Sequence, residues 1–201
     1  MVNVPPDIWN TLLKHRQTGG KLIAYMPTFR DYAHDHTVES GSKLDMASLG
    51  EFGARHNVLF LFKFHPYVRI ILQDLPPNCV FCPPYADVYP LLRLTNALIT
   101  DFSSVYFDYL LLNRPIHYFV HDKEEYELKD RKFMLDFNKW PPGHKSHSQA
   151  ECLTALKSLL NKGMDDDMEG PRTKIRKILF EHNDDQAAVR CCQFIESMVL
   201  L

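Results

Sequence analysis

The chain of 201 residues lacks any excess of charge: 23 Lys and Arg stand against 25 Asp and Glu, a formal net charge of -2 with a pI near 6.5. Its cations are dispersed rather than gathered into a stripe, so nucleic-acid binding has no electrostatic footing. No apolar run approaches the ~20 residues needed to span a bilayer. Nor does Met1-Val2-Asn3-Val4-Pro5-Pro6 read as a charged region followed by an apolar stretch. A soluble, cytoplasmic chain is the expectation. Cysteine is scarce and odd in number, five in all, which argues against a disulfide framework. Cys79 and Cys82 form a C-x-x-C, but within a segment that reads as a strand, where such positions point to opposite faces. No second Cys/His pair at finger-like spacing completes a metal site, so reduced structural thiols are expected. Internal repeats and low-complexity segments are also absent.

What is present is a hydrophobic fraction of 45%, enough for a real core in one domain spanning 1–201. The pattern alternates strands and helices. Short apolar runs at 21–26, 58–62, 80–82, 97–99 and 116–120 read as strands. Helical spacing marks 7–17, 44–56, 89–95 and 103–113, and 123–132 is a charged helix or loop. This βαβ rhythm predicts an α/β fold with a Rossmann-like parallel sheet and flanking helices. A helical C-terminal part covers about 148–201: Ser148-x-x-Glu151 is a capping-box signature for a helix to Asn161, 164–170 reads as a hinge, and helices are expected at 172–181 and 186–200. Residues 32–43 read as a solvated loop, and their His34-Asp35-His36 run lacks a fourth metal ligand.

Three of the strands run into polar clusters: Pro27-Thr28-Phe29-Arg30-Asp31, Lys63-Phe64-His65-Pro66 and Asp101-Phe102-Ser103-Ser104. In an open parallel sheet, ligand sites form outside the carboxyl ends of strands, so clusters distant in sequence converge there. The third is the most telling. Two hydroxyl residues open a helix whose first N–H groups lack intrahelical partners, a place suited to a phosphate or to a plain serine cap. Asp101 sits where it can meet a sugar hydroxyl or a backbone amide. Arg30, Lys63 and His65 add cations or donors, and the set suits a diphosphate. His117 and His121 read as structural or solvated, and His144 and His147 fall in a loop.

The motifs Met-Pro-Thr-Phe-Arg-Asp at 26–31, Lys-Phe-His-Pro at 63–66, Leu-Ile-Thr-Asp-Phe-Ser-Ser-Val-Tyr-Phe-Asp at 98–108 and Asn-Arg-Pro-Ile at 113–116 resemble the CDP-glycerol glycerophosphotransferase family of teichoic acid polymerases and primases. The likeness runs over most of 20–195 and includes His121 to Tyr126 and Pro142-Gly143. It implies the C-terminal, nucleotide-binding half of a GT-B transferase that moves glycerol phosphate from CDP-glycerol to a polyol-phosphate acceptor, at the inner face of the cell membrane. By the same resemblance, Arg30 and His65 are the catalytic candidates, Arg30 near the transferring phosphoryl group and His65 at the diphosphate. Thr28, Lys63, Asp101, Ser103 and Ser104 bind substrate, and Asp108 lies toward the ribose. No metal motif is present, which leaves a divalent ion travelling with the diphosphate as the cofactor compatible with the reading. The family's other half is expected to carry the acceptor pocket and a general-base histidine. Asn96 stands where the family usually has Asp, and Asp184-Asp185-Gln186 where it has Asp-Gly. The alternatives are a GT-B glycosyltransferase using a nucleotide sugar, and a non-catalytic module that binds nucleotide or a partner chain.

Overall fold

The computed structural model describes residues 4–31, 44–68, 76–130 and 132–199. The expected 32–43 loop, with its His-Asp-His run, and most of the crossover after Pro66 lie outside them. Six strands form one parallel sheet: β1 Lys21–Met26, β2 Val58–Phe62, β3 Cys79–Phe81, β4 Ala97–Thr100, β5 Ile116–Phe119 and β6 His144–Ser146, in the order β3-β2-β1-β4-β5-β6. The chain winds outward from β1 in one direction, then restarts beside β1 at β4 and winds in the other. The strand order therefore reverses between β1 and β4, and the carboxyl ends of those two strands diverge around a crevice.

β1, β2, β4 and β5 are near-continuous apolar runs because helices cover both faces of the sheet. On one face, Ile23, Tyr25, Phe60, Phe62 and Ile99 pack with Leu49 and Phe52 of α2 (Met46–His56) and with Cys152 and Leu156 of α6 (Gln149–Asn161). The alternate residues Leu22, Leu59 and Leu61 meet Ile8 and Leu12 of α1 (Pro6–Gln17) and Leu91 of α3 (Val88–Leu94). Ala24, Leu98 and Tyr118 meet Tyr106 and Tyr109 of α4 (Val105–Tyr109). Cys79 and Cys82 fall into different clusters, as their strand spacing requires, and all five cysteines are free.

The predicted 103–113 helix is shorter than its pattern. It is α-helical over Val105–Tyr109, tightens to a 3₁₀ turn over Leu110–Leu112, and stops at Asn113 in the left-handed region. After β5 comes α5 (Lys123–Lys129). Strand β6 falls in a segment expected to be a loop. His144-Lys145-Ser146 has no apolar alternation, and its strand state comes from pairing along the β5 edge. Gly143 permits that approach: a Cβ there would lie 2.1 Å from the Ile116 carbonyl oxygen. Ser148 caps α6 by accepting the Glu151 N–H, while the Glu151 carboxylate accepts from the His147 N–H. Helices α7 (Glu169–Leu179) and α8 (Ala187–Val199) follow. No residue of α8 is buried, and Phe194, Ile195, Met198 and Val199 are exposed.

Buried His117 of β5 shares a 2.8 Å hydrogen bond with the Ser146 hydroxyl, and burial, helped by His144, lowers its pKa to about 4. The unfolded chain, with an ordinary histidine, binds the extra proton between about pH 6.5 and 4, so stability falls as pH drops through that window. The loss should reach about 3 kcal/mol, and His117→Gln should flatten it in urea titrations across pH. Gly143→Ala should cost about 2–4 kcal/mol by forcing β6 off the edge. Gly170→Ala, where an added Cβ meets nothing within 4 Å, should be neutral or stabilising by up to ~1 kcal/mol. Thermal melts of the two variants test the contrast.

Candidate functional site

A cleft of about 650 Å³ opens beyond the ends of β1, β2 and β4, lined by Thr28, Phe29, Lys63, His65, Ser103 and Ser104 and walled by Tyr126, Lys132, Phe133 and Met134. All three predicted clusters meet there, as the reversal of strand order demands. Their side chains, however, divide into those that face the cleft and those that hold it together.

Arg30 belongs to the second group. It is 2% exposed, and its guanidinium is committed on every edge. Nη2 donates to Asp101 Oδ2 at 2.8 Å and to Asp122 Oδ1 at 3.0 Å, Nε to Asp122 Oδ2 at 2.8 Å, and Nη1 to the Thr28 carbonyl at 2.8 Å. The plane lies 5.2 Å from the Phe102 ring centroid and 4.9 Å from that of Tyr126. Burial alone would drive the proton off, but Asp101 and then Asp122 outweigh it, so the guanidinium is held charged more firmly than usual. Arg30 does not line the cleft, and the expected contact with a transferring phosphoryl group is replaced by a scaffold role. Asp101 is also spent. Its Oδ1 accepts from the Thr28 N–H and hydroxyl at 2.8 and 2.6 Å and from the N–H groups of Phe102 and Ser103 at 2.6 and 3.2 Å. The carboxylate shapes the serine turn and is not offered to a sugar hydroxyl.

Lys63 reaches the cleft wall, but its ammonium donates to the carbonyls of Pro83 and Pro84 at 2.9 and 2.6 Å, and partial burial lowers its pKa. It braces the turn after β3. Asp108 is half-buried on α4, where burial raises its pKa, and it does not line the cleft. The ribose contact implied by resemblance has no geometric support from this conformation.

His65 and the serines do face the cleft. His65 is exposed, with its ring 5.2 Å from Phe29 and 4.9 Å from Tyr67. Its Nδ1 accepts from the Tyr67 N–H at 3.3 Å, so the neutral ring carries its proton on Nε2 and offers a donor there. Ser103 Oγ accepts weakly from the Val105 N–H at 3.4 Å. Ser104 is exposed and makes no side-chain cap. Phe29, Tyr67, Asp122, Tyr126 and Lys132 were not anticipated as site residues. Asp122 alone had a signal, since it ends β5 as Asp101 ends β4. Among the described residues no group of three or more His, Cys, Asp or Glu side chains is placed to hold a metal ion.

Removing one partner of a buried ion group leaves the others unpaired. Asp122→Ala should therefore cost about 3–5 kcal/mol in urea unfolding, and Arg30→Lys nearly as much, because an ammonium cannot serve both carboxylates in the plane. Arg30→Met with Asp122→Leu should recover part of that loss in a double-mutant cycle.

Residues 13–197 match the model of the CDP-Glycerol:Poly(glycerophosphate) glycerophosphotransferase family. The teichoic acid ribitol-phosphate primase of Bacillus spizizenii W23 is 29% identical over 191 residues, 93% of this chain and 46% of its own length. The teichoic acid glycerol-phosphate transferase of Staphylococcus aureus is 28% identical over 184 residues, 87% of this chain and 45% of its own. The chain thus spans about half the length of these relatives. The wall teichoic acid polymerase TagF superposes with a TM-score of 0.66 at 21% identity, over 96% of this chain and 48% of that one. The expected α/β architecture, a Rossmann-like parallel sheet with flanking helices, is shared with about half of that chain. A family match over nearly the whole sequence joins a parallel sheet whose motif clusters meet at one cleft, and the chain belongs to the CDP-glycerol:poly(glycerophosphate) glycerophosphotransferase family.

Proposed function

We propose that this chain is the donor-binding part of a transferase that moves glycerol phosphate from CDP-glycerol to a polyol-phosphate acceptor in the synthesis of a teichoic-acid-like polymer. The observation that carries the reading is the convergence of the 27–31, 63–66 and 101–104 clusters on one cleft at the strand-order reversal, in a chain of this family. In the reaction an acceptor hydroxyl oxygen attacks the phosphorus of the glycerol phosphate unit. The bond to the bridging oxygen breaks, and its electron pair leaves with cytidine monophosphate. Charge grows on the departing phosphate, and fixed donors near it lower the barrier. His65 Nε2–H, the two serine hydroxyls and the N–H groups of the serine turn are the donors for that task. The hydroxyl proton needs a base, which His65 does not supply while its Nδ1 is engaged by Tyr67. That supports the expectation of base and acceptor pocket in another domain, as does the length of the relatives, roughly twice that of this chain. Any divalent ion would arrive with the diphosphate. No helix among the described residues is long and apolar enough to cross a membrane. The exposed apolar face of α8 gives the partner-module reading its own support.

Calorimetric titration with CDP-glycerol, CDP, CMP and UDP tests the proposal. CDP-glycerol should bind below millimolar concentration and more tightly than UDP, and His65→Ala should weaken it by at least ~1.5 kcal/mol. Absence of cytidine-nucleotide binding at millimolar concentration would leave the partner-module reading in its place.

A further inference from the structure

Of the cations that sequence reading assigned to the diphosphate, Arg30 is neutralised by Asp101 and Asp122, while Lys63 keeps its charge but spends two of its three N–H donors on carbonyls. His65 offers its Nε2–H. A diphosphate that enters the cleft therefore meets one full charge, that of Lys63, on an ammonium whose position is already set by the turn after β3. Lys132 is the other lysine of the lining. It is exposed and makes no ion pair or hydrogen bond among the described residues. The next residue fixes its position. Phe133 packs 5.1 Å from the Phe102 ring and 5.1 Å from Phe137, and stacks on Tyr126 at 5.8 Å. Phe102 lies between Asp101 and Ser103, and it also flanks the Arg30 guanidinium. The aromatic group thus moors the base of the Lys132 side chain to the same turn that presents the serines, while the ammonium stays in solvent at the cleft mouth. A lysine held at its root and free at its tip loses little by remaining hydrated and gains a charge-assisted contact when an anion arrives.

We propose that Lys132 is a cation that contacts the phosphates of the bound nucleotide diphosphate, a binding residue that reaches the ligand from the part of the wall formed by Tyr126 and Phe133. The assignment rests on the donor-site reading above, and the probes are chosen to separate the two. Inorganic pyrophosphate, CDP and cytidine are titrated into the wild-type chain, Lys132→Met, Lys132→Arg, and Lys14→Met as a control for loss of one exposed charge elsewhere. Lys132→Met should weaken pyrophosphate and CDP about 5- to 10-fold and leave cytidine unchanged. Its affinity for CDP should also fall less steeply with added salt, because one charge contact is gone. Lys132→Arg should stay within about 2-fold of wild type. Circular dichroism checks that the variants are folded, which is expected at an exposed position. If the wild-type chain does not bind pyrophosphate, or if Lys132→Met binds it no more weakly than Lys14→Met does, the assignment is overturned. Equal CDP-glycerol binding by wild type and Lys132→Met would keep the donor reading and discard Lys132. Pyrophosphate binding that depends on Lys132, with no preference for cytidine nucleotides, would keep Lys132 and discard the donor reading.

Discussion

Arg30 sits with Asp101 on one side and Asp122 on the other, each at 2.8 Å, between the rings of Phe102 and Tyr126. The three charged residues come from the segments that follow β1, β4 and β5, so the group ties those three segments together beyond the sheet. Burying these charges costs several kcal/mol for each ion before any return. That cost is offset only if the geometry is held, since attraction in a poorly solvated site falls away as the charges separate. The arrangement is therefore stiff, and its stiffness passes to the cleft through Asp101, whose Oδ1 gathers Thr28 and the N–H groups of Phe102 and Ser103. The serine turn owes its shape to a carboxylate whose Oδ1 already accepts from four groups.

This division of labour determines what kind of recognition the cleft can perform. Charges that build the scaffold cannot also neutralise a ligand, because each guanidinium and carboxylate edge is already paired. What the strand ends present instead is a set of neutral donors: hydroxyls, backbone N–H groups, and an imidazole whose proton is placed by the Tyr67 N–H. Such dipoles are oriented before a ligand binds and need not reorganise as charge moves. Positive charge comes from Lys63, whose ammonium is fixed by two carbonyls, and from the exposed Lys132.

The fold was largely legible. Continuous apolar runs such as Leu59 to Phe62 announced strands covered on both faces, and Ser148 with Glu151 marked the start of α6 through a local hydrogen-bond pattern. Strand β6 was not legible, because His144-Lys145-Ser146 becomes a strand through the neighbouring edge and the close approach at Gly143 rather than through its own composition. The site followed the same line. That the three clusters meet could be read from strand ends alone, while the tasks of their side chains could not. Arg30 and Asp122 lie 92 positions apart, and no local pattern distinguishes an arginine that faces a ligand from one that faces two carboxylates. The carbonyl partners of Lys63 were hidden for the same reason, since they belong to a turn some twenty residues on.

The tautomer of His65 bears on how much chemistry such a half-cleft can complete. With Nδ1 receiving the Tyr67 N–H, the neutral ring carries its hydrogen on Nε2. A ring in that state can donate to a departing phosphate but cannot take a proton from an attacking hydroxyl at the same edge. In the proposed reaction the two ends of the transfer thus call for different groups, one at the leaving oxygen and one at the attacking oxygen, on opposite sides of the phosphorus. The strand ends of one sheet lie on a single side. A second wall facing them follows from the stereochemistry of in-line displacement, whichever chain or domain supplies it.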